Sequence, residues 1–156
     1  MRQKSHEMKN LQTFWVLGHE VTQHPTTGNY DLTIIKTPAG AQGPPPHVHH
    51  EYKEAFLIVE GEMEFIINGK QETLKAGESL DVPPGTLHTF VNKGDVPCKF
   101  VSIHSPKGFF KFFEEFGVDK NEANAFEKSV HPEIIQQVLG TAHQFDMEIA
   151  KTPQQS

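Results

Sequence analysis

This sequence of 156 residues lacks several features that mark particular classes of protein. Cys98 is the only cysteine, so no disulfide can form within the chain, and a reducing cytoplasm is expected. No apolar run approaches the roughly 20 residues of a membrane helix, and no signal-type apolar segment follows the charged N-terminus. Positive charge is not in excess either. The net charge of −6 argues against nucleic acid as a partner. Because there is no long apolar run, we also expect no membrane partner.

Histidine, in contrast, is abundant, with ten in the chain. Three of them lie within four residues, at His47, His49 and His50, and Glu54 follows just before an apolar run. Side chains two apart on a strand share a face, so His47 and His49 can bind one ion while His50 points away. Glu54 lies at an odd offset from His49. A polar corner over residues 50–53 must therefore turn the chain before the strand that Glu54 begins.

A fourth candidate ligand, His88, stands behind a Pro-Pro-Gly turn. The two prolines cannot donate to a central ladder, and Pro84-Gly85 fits a type II turn that reverses the chain into the strand bearing His88. If the sheet folds back on itself, His88 joins the two histidines and the glutamate around one metal ion. Such ligands suit Zn, Fe, Ni, Cu, Co or Mn without choosing among them. The alternative is a polar patch that binds no metal.

Short strand-like segments separated by glycine and proline turns make up most of the remaining chain, which is typical of a sandwich or barrel. Asn68-Gly69 between two of them predicts a hairpin with a type I′ turn. The predicted strands cover residues 11–18, 30–37, 54–60, 62–67, 70–74, 79–82, 86–92 and 98–104.

Strand parity predicts which side chains surround the ion. Counting from Glu54 places Phe56 and Ile58 inside the barrel, and counting from His88 places Phe90 inside. These three residues predict a mostly apolar substrate pocket, as small-molecule pockets tend to be.

The C-terminal third changes to a helical period. Ser105-Pro106 predicts a helix start, and phenylalanines between residues 109 and 116 then follow at helical spacing. We expect their face to pack on the outside of the barrel, with a lid over the cavity or a dimer contact as alternatives.

Two more helix signals follow in this third. Asp119-x-x-Glu122 predicts another helix cap, and His131-Pro132 predicts a helix that stops at Gly140. Residues 146–150 are predicted to return to the body as an extended segment. The predicted organisation is a flexible N-terminus (1–10), a barrel (11–105), a helical segment packed on it (106–150) and a tail (151–156).

The two ligand-bearing stretches resemble the two motifs of the cupin family. The first motif is met by His47, His49, Glu54 and Gly61, and the second by Gly77, Pro83, Gly85, His88 and Asn92. One departure is that three residues separate Gly43 from His47, where the family usually has five. The resemblance spans residues 28 to 117.

This resemblance implies an all-β fold, a double-stranded β-helix (jelly-roll) barrel with short C-terminal helices, and a homodimer. The chain looks like small single-domain cupins of the quercetinase-like group, which implies one divalent transition metal ion and a small-molecule substrate. We therefore expect a metal-dependent dioxygenase acting on a flavonol-, catechol- or enediol-like compound. In similar flavonol dioxygenases the matching glutamate is thought to act as a base, which gives Glu54 a catalytic role as well.

Other interpretations stay open. The protein is alternatively a non-catalytic binding or sensing module, or a metal-assisted isomerase or lyase. His50 and Glu51 are candidates to support the ligands, although a solvated corner is the plainer interpretation. His104 faces either the cavity or solvent, and parity does not decide. No partner near Cys98 indicates a nucleophile.

Overall fold

Two antiparallel sheets enclose the core in the computed structural model, which describes residues 11–151. The strands are β1 (Thr13–Val16), β2 (His19–His24), β3 (Asp31–Thr37), β4 (His47–Val48), β5 (Lys53–Glu60), β6 (Glu62–Ile67), β7 (Lys70–Lys75), β8 (Ser79–Val82), β9 (His88–Val91), β10 (Cys98–Ser105), β11 (Val118–Asp119) and β12 (Glu148–Ile149). One sheet has the order β11-β1-β2-β3-β10-β5-β8 and the other β12-β4-β9-β6-β7. The helices are α1 (Phe110–Phe116), α2 (Ala125–Ser129), α3 (Pro132–Thr141) and a 3-10 turn (Ala142–Phe145). The predicted all-β barrel with short C-terminal helices is confirmed. The expectations for residues 1–10, and for the tail from residue 152, lie outside the described residues.

Two predicted turns fix the strands that carry the site. Asn68 and Gly69 both have positive φ, at 49° and 81°, as a type I′ turn requires, and β6 pairs directly with β7 across them. Gly85 has φ of 81°, which fits the type II turn before β9. Its N–H donates to the His49 carbonyl at 2.7 Å. The turn before His88 is thereby tied to the corner after His49.

The strand β2 was not predicted. Its sequence, HEVTQH, shows no clear alternation of apolar and polar residues, because the inward-facing position two residues before Val21 is a histidine. His19 is only 7% exposed, and it donates from Nε2 to the Gln42 carbonyl at 3.0 Å. Its Nδ1 lies 3.0 Å from the Thr37 hydroxyl, so a neutral imidazole is fully satisfied there.

His19 gives the fold an expected acid sensitivity. Burial lowers its pKa from 6.5 to about 4, and the Gln42 hydrogen bond opposes this only in part. Between these values the unfolded chain binds the proton and the folded chain does not. Stability should therefore be complete above pH 6.5 and fall by up to about 3 kcal/mol as the pH drops toward 4. Urea unfolding across this range should show the loss, and His19→Gln should reduce its slope without abolishing it, because burial lowers the pKa of His47 as well. An equal slope in the variant would contradict the assignment.

The barrel interior is apolar at the end of β5 and β10 that lies away from Glu54 and His104. Phe56 and Ile58 are buried as parity predicted, and Phe100 is fully buried between the sheets. Leu57 and Val59, on the opposite face of β5, are each 42% exposed. The homodimer implied by the resemblance stays a prediction.

The start of α1 was predicted four residues too early. Ser105 belongs to β10, where it pairs with Lys53, and its hydroxyl donates to the Asn29 carbonyl instead of capping a helix. The helix begins at Phe110. Its phenylalanine face does not pack on the outer wall as expected, because Phe109, Phe112 and Phe113 line the cavity at the mouth of the barrel.

Two further helix predictions were also wrong. Asp119 caps no helix, because it pairs with Phe14 in β11 and its carboxylate accepts from the Asn121 N–H in a turn. Gly140 does not stop α3, which runs to Thr141 and passes into the 3-10 turn. The residue that ends this segment in the left-handed conformation is Asp146, with φ of 55°.

The remaining predictions for this segment are confirmed. His131 caps α3 by accepting from the Glu133 N–H at 3.3 Å, with Pro132 in the first turn. The extended return is β12, which pairs with β4. Among residues 11–151, no helix is long and apolar enough to cross a membrane.

Candidate metal centre

Four buried side chains from three strand ends converge inside the barrel. His47 lies in β4 directly opposite His88 at the start of β9, and His49 follows in the corner that leads to Glu54 near the start of β5. Each of the four offers one ligand atom, and these atoms all lie within 4.8 Å of one another. The structure thus brings together the four residues predicted to share an ion.

The three imidazoles are oriented by backbone carbonyls. The Nδ1 contacts run from His47 to Pro45 (2.9 Å), from His49 to Asp146 (2.7 Å) and from His88 to Thr86 (2.9 Å). A carbonyl can only accept, so each Nδ1 carries the proton. In the neutral form of each ring, Nε2 then has a lone pair that faces the interior, which is the arrangement that metal-binding histidines need.

The inward-facing atoms need a cation. Nε2 of His88 lies 3.0 Å and Nε2 of His49 3.2 Å from the same oxygen, Glu54 Oε2. Lone pairs on neutral imidazoles and a carboxylate repel one another unless a proton or a metal ion lies among them. Three nitrogens and one oxygen, all buried, fit a divalent transition metal ion. Their role as ligands stays a prediction, as does the identity of the metal.

Electrostatics at the cluster match this donor set. Burial, reinforced by the neighbouring His88 and His49, lowers the pKa of His47 to about 3, so His47 is neutral. Burial would raise the pKa of Glu54, but His104 and hydrogen bonds from His49 and His88 hold it well below its usual range. Burial would lower the pKa of His49, and the hydrogen bond and charge of Glu54 outweigh it and raise that pKa. Glu54 is therefore ionised at neutral pH.

His104 is the site residue that sequence reasoning left undecided. It is 2% exposed, lies directly across from Glu54 in the β5–β10 pairing, and stacks on the Phe109 ring at 4.2 Å. Its Nε2 is 3.1 Å from Glu54 Oε1, close enough for an ion pair but not aligned as a hydrogen bond. Within residues 11–151, both ring nitrogens therefore lack a hydrogen-bond partner. Buried polar atoms of this kind are costly. Only the register of β10 against β5 reveals this placement.

The cavity beside the four residues is small and mostly apolar, with a volume of about 70 Å³. Of the predicted pocket residues, Phe56 and Phe90 line it, whereas Ile58 lies deeper in the barrel opposite Phe100. Its polar lining, apart from the four candidate ligands, consists of His19, Ser102 and His104. No lysine or arginine of the described residues lines it.

The corner between His49 and Glu54 faces solvent, as its plainer interpretation predicted. The His50 imidazole is paired with the Glu148 carboxylate, and both side chains are more than half exposed. The His50 and Glu51 backbone N–H groups donate to Asp146, so these two residues support the site through their main chain. Cys98 is fully buried and burial, with the nearby Glu62, raises its pKa to about 11, which excludes a reactive thiolate at neutral pH.

Comparison with known proteins identifies this arrangement. Residues 33–104 match the family model of the cupin domain. The chain contains a cupin domain. The fold agrees with a solved RmlC-like cupin from Shewanella frigidimarina, at a TM-score of 0.57 and 24% identity over 68% of this chain and 95% of that one. It agrees also with KdgF from Halomonas sp., at a TM-score of 0.54 and 23% identity over 58% of this chain and 81% of that one.

Curated relatives share only the cupin part. The chain is 34% identical over 62 residues to the HTH-type transcriptional regulator PuuR of Escherichia coli, covering 40% of this chain and 34% of PuuR. It is 32% identical over 62 residues to quercetin 2,3-dioxygenase of Bacillus subtilis, covering 38% of this chain and 18% of the dioxygenase. The chain thus spans about a third or less of these proteins, one a regulator and one an enzyme.

Two motif positions of the cupin domain serve the backbone rather than the ion. Gly43 lies so close to β9 that an added Cβ would come within 2.3 Å of the Phe90 carbonyl oxygen. The Asn92 side chain donates to the carbonyls of Thr37, Pro38 and Val96, and it accepts from the Gly94 N–H. The shortened spacing after Gly43 therefore leaves the four candidate ligands in place.

Proposed function

We propose that this cupin binds one divalent transition metal ion at His47, His49, Glu54 and His88, and that it is a dioxygenase-type oxidoreductase for a compact catechol- or enediol-like molecule. The observation that carries the proposal is the convergence of the four buried ligand atoms beside an apolar cavity. Four protein ligands leave one or two positions on a five- or six-coordinate ion, and open positions distinguish catalytic from structural sites.

The cavity limits the size of the substrate. At about 70 Å³ it is well below the roughly 300–1,000 Å³ of sites for drug-sized molecules. Phe109, Phe112 and Phe113 close its mouth. These dimensions favour a single-ring catechol or a short enediol over a flavonol, among the substrates that the resemblance implies.

The charge of the lining limits its chemistry. No lysine or arginine of the described residues is available to pair with a phosphate, and aromatic rings form much of the wall. An uncharged molecule with two neighbouring hydroxyl or enol oxygens suits such a site, because its flat apolar part contacts phenylalanine while its oxygens face the histidines.

The protein groups supply binding and proton transfer. A bound divalent ion supplies Lewis acidity, which lowers the pKa of a hydroxyl that it holds. Glu54 is ionised and so can accept that proton, although its low pKa makes it a weak base without this help. On the other side of the carboxylate, His104 and Ser102 lie 3.1 and 3.4 Å from Oε1. They hold Glu54 in place, and the unpartnered His104 nitrogens offer a hydrogen bond to a substrate oxygen.

The substitution Glu54→Gln tests this role. The amide side chain would keep the shape and an oxygen ligand but could not accept the proton, so kcat for catechol or enediol consumption should fall by about 10²- to 10⁴-fold. Oxygen uptake should be measured on protein purified without added metal, with metal content determined on the same sample. Full activity in a variant that retains metal would show that Glu54 is only a ligand.

A second candidate function is small-molecule sensing without turnover. It is supported by the identity of 34% that the cupin part shares with the regulator PuuR. In that case a compact ligand would raise the melting temperature of the metal-loaded protein, while no oxygen is consumed with catechols, enediols or flavonols.

A further inference from the structure

We propose that Asp146, which lies outside the family match at residues 33–104, is a positioning residue for the candidate metal centre. It orients His49 and holds the corner that leads from His49 to Glu54. This inference rests on the proposed metal site, and it extends that site to the C-terminal segment of the chain.

Asp146 contacts the corner with both its backbone and its side chain. Its carbonyl accepts from His49 Nδ1 at 2.7 Å. Its carboxylate accepts from three successive backbone N–H groups, those of His50 (2.9 Å), Glu51 (2.9 Å) and Tyr52 (3.1 Å). One residue thus orients a candidate ligand and fixes the chain immediately after it. Hydrogen bonds to an ionised carboxylate are among the stronger ones in proteins.

The corner needs hydrogen-bond acceptors from elsewhere in the chain, because its residues lie outside both strands. Between His49 and Glu54 the chain leaves β4 and begins β5, so residues 50–52 belong to neither ladder. Without Asp146 their N–H groups would have no acceptor among the contacts of the described chain. The corner would then be free to change its path, and the distance between the His49 and Glu54 ligand atoms depends on that path.

The conformation of Asp146 and the strand after it make these contacts possible. Its φ of 55° is left-handed, which turns the chain sharply after the Ala142–Phe145 turn and aims both acceptors at the corner. Immediately afterwards β12 pairs with β4, with Ile149 opposite His47, and the Ala150 N–H donates to the Pro46 carbonyl at 2.8 Å. The C-terminal segment therefore supports the strand of His47 as well as the ring of His49.

Two substitutions separate the carboxylate from the backbone conformation. Asp146→Asn keeps the size and tolerates the left-handed conformation, but it removes the charge and one acceptor. Asp146→Gly keeps the left-handed conformation and removes all side-chain acceptors. Asp119→Asn is the matched control, because the Asp119 carboxylate likewise accepts a backbone N–H, from Asn121 at 2.8 Å, in a turn that contacts none of the four candidate ligands.

The primary measurement is Zn²⁺ affinity by chelator competition, together with the absorption spectrum of the Co²⁺ form. Both Asp146 variants are expected to bind Zn²⁺ about 10- to 100-fold more weakly than wild type. Mutation of residues that orient metal-binding histidines typically weakens metal affinity by this amount. The Co²⁺ spectrum should change with them, and Asp119→Asn should match wild type in both. Wild-type affinity in the Asp146 variants would overturn the proposal.

A second measurement needs no metal. Histidine ¹⁵N NMR of the metal-free protein should show His49 with its proton fixed on Nδ1 in wild type. A mixture of tautomers is expected in Asp146→Gly, because without the three hydrogen bonds of the carboxylate the corner can move and carry His49 out of reach of the Asp146 carbonyl. An unchanged His49 signal in that variant would overturn the positioning role. If wild type binds no metal while the His49 signal still changes, the proposed function fails and the role of Asp146 in orienting His49 stands.

Discussion

His88→Ala should leave the purified protein with almost no first-row transition metal, whereas wild type should carry close to one ion per chain. The reason lies in the geometry of the site. His88 Nε2 lies 3.0 Å from Glu54 Oε2, and its ring centroid is 4.3 Å from that of His47, so its removal leaves an open side in the cluster. Loss of a ligand should cost more than the roughly 10- to 100-fold in affinity that loss of a supporting residue costs.

Metal content and the melting temperature together test this prediction. Excess Zn²⁺ at 100 times its dissociation constant stabilises a folded protein by about 2.7 kcal/mol, so Zn²⁺ should raise the melting temperature of wild type and not of His88→Ala. His50→Ala is the matched control, since the His50 side chain is 60% exposed and directed away from the cluster. A His88→Ala protein that retains its metal would show that the ligand set is wrong.

The site could be predicted from sequence where local turn chemistry determines it. Each candidate ligand stands at or next to a strand end, and the turns beside them are visible as Pro84-Gly85 before His88 and as the polar corner before Glu54. Parity along single strands correctly placed Phe56 and Phe90 at the cavity. These inferences need only neighbours along the chain.

The residues that sequence reasoning missed depend on contacts between distant segments. His104 enters the site because β10 pairs with β5 in one register, and a shift by one residue would turn it to the other face. Asp146 reaches the corner from 97 residues beyond His49. His19 was not predicted to be buried, because β2 shows no clear alternation of apolar and polar residues.

The helix α1 errors have a related cause. Ser105-Pro106 has the composition of a helix start, but pairing with β5 keeps Ser105 in the sheet. The spacing of the phenylalanines indicates that one face of the helix is buried, but it does not indicate which part of the protein that face packs against. Its place at the barrel mouth follows from the turn over residues 107–109, and this place controls what the cavity can admit.

Phe109→Ala should therefore widen the range of accepted ligands. Phe109 stacks on His104 at 4.2 Å and its centroid lies 5.1 Å from that of His49, so its ring stands directly beside the candidate ligands. We expect wild type to bind and consume single-ring catechols or enediols but not flavonols. The variant should gain flavonol binding, followed by fluorescence or calorimetry, and should gain oxygen uptake with flavonols if the metal centre is a dioxygenase.

Phe116→Ala provides the control that separates a wider cavity from a looser protein. Phe116 is as well buried as Phe109, at 4% against 5% exposure, on the same helix face, but it does not line the cavity. Both changes should cost about 3–5 kcal/mol of stability, whereas a folded domain has about 5–15 kcal/mol in total. If Phe109→Ala unfolds the protein, Phe109→Leu is the variant to measure instead. Flavonol turnover by wild type at the catechol rate would show that the phenylalanines do not restrict the site. An equal gain in Phe116→Ala would attribute the effect to general loosening, because of these two rings only that of Phe109 forms part of the cavity wall.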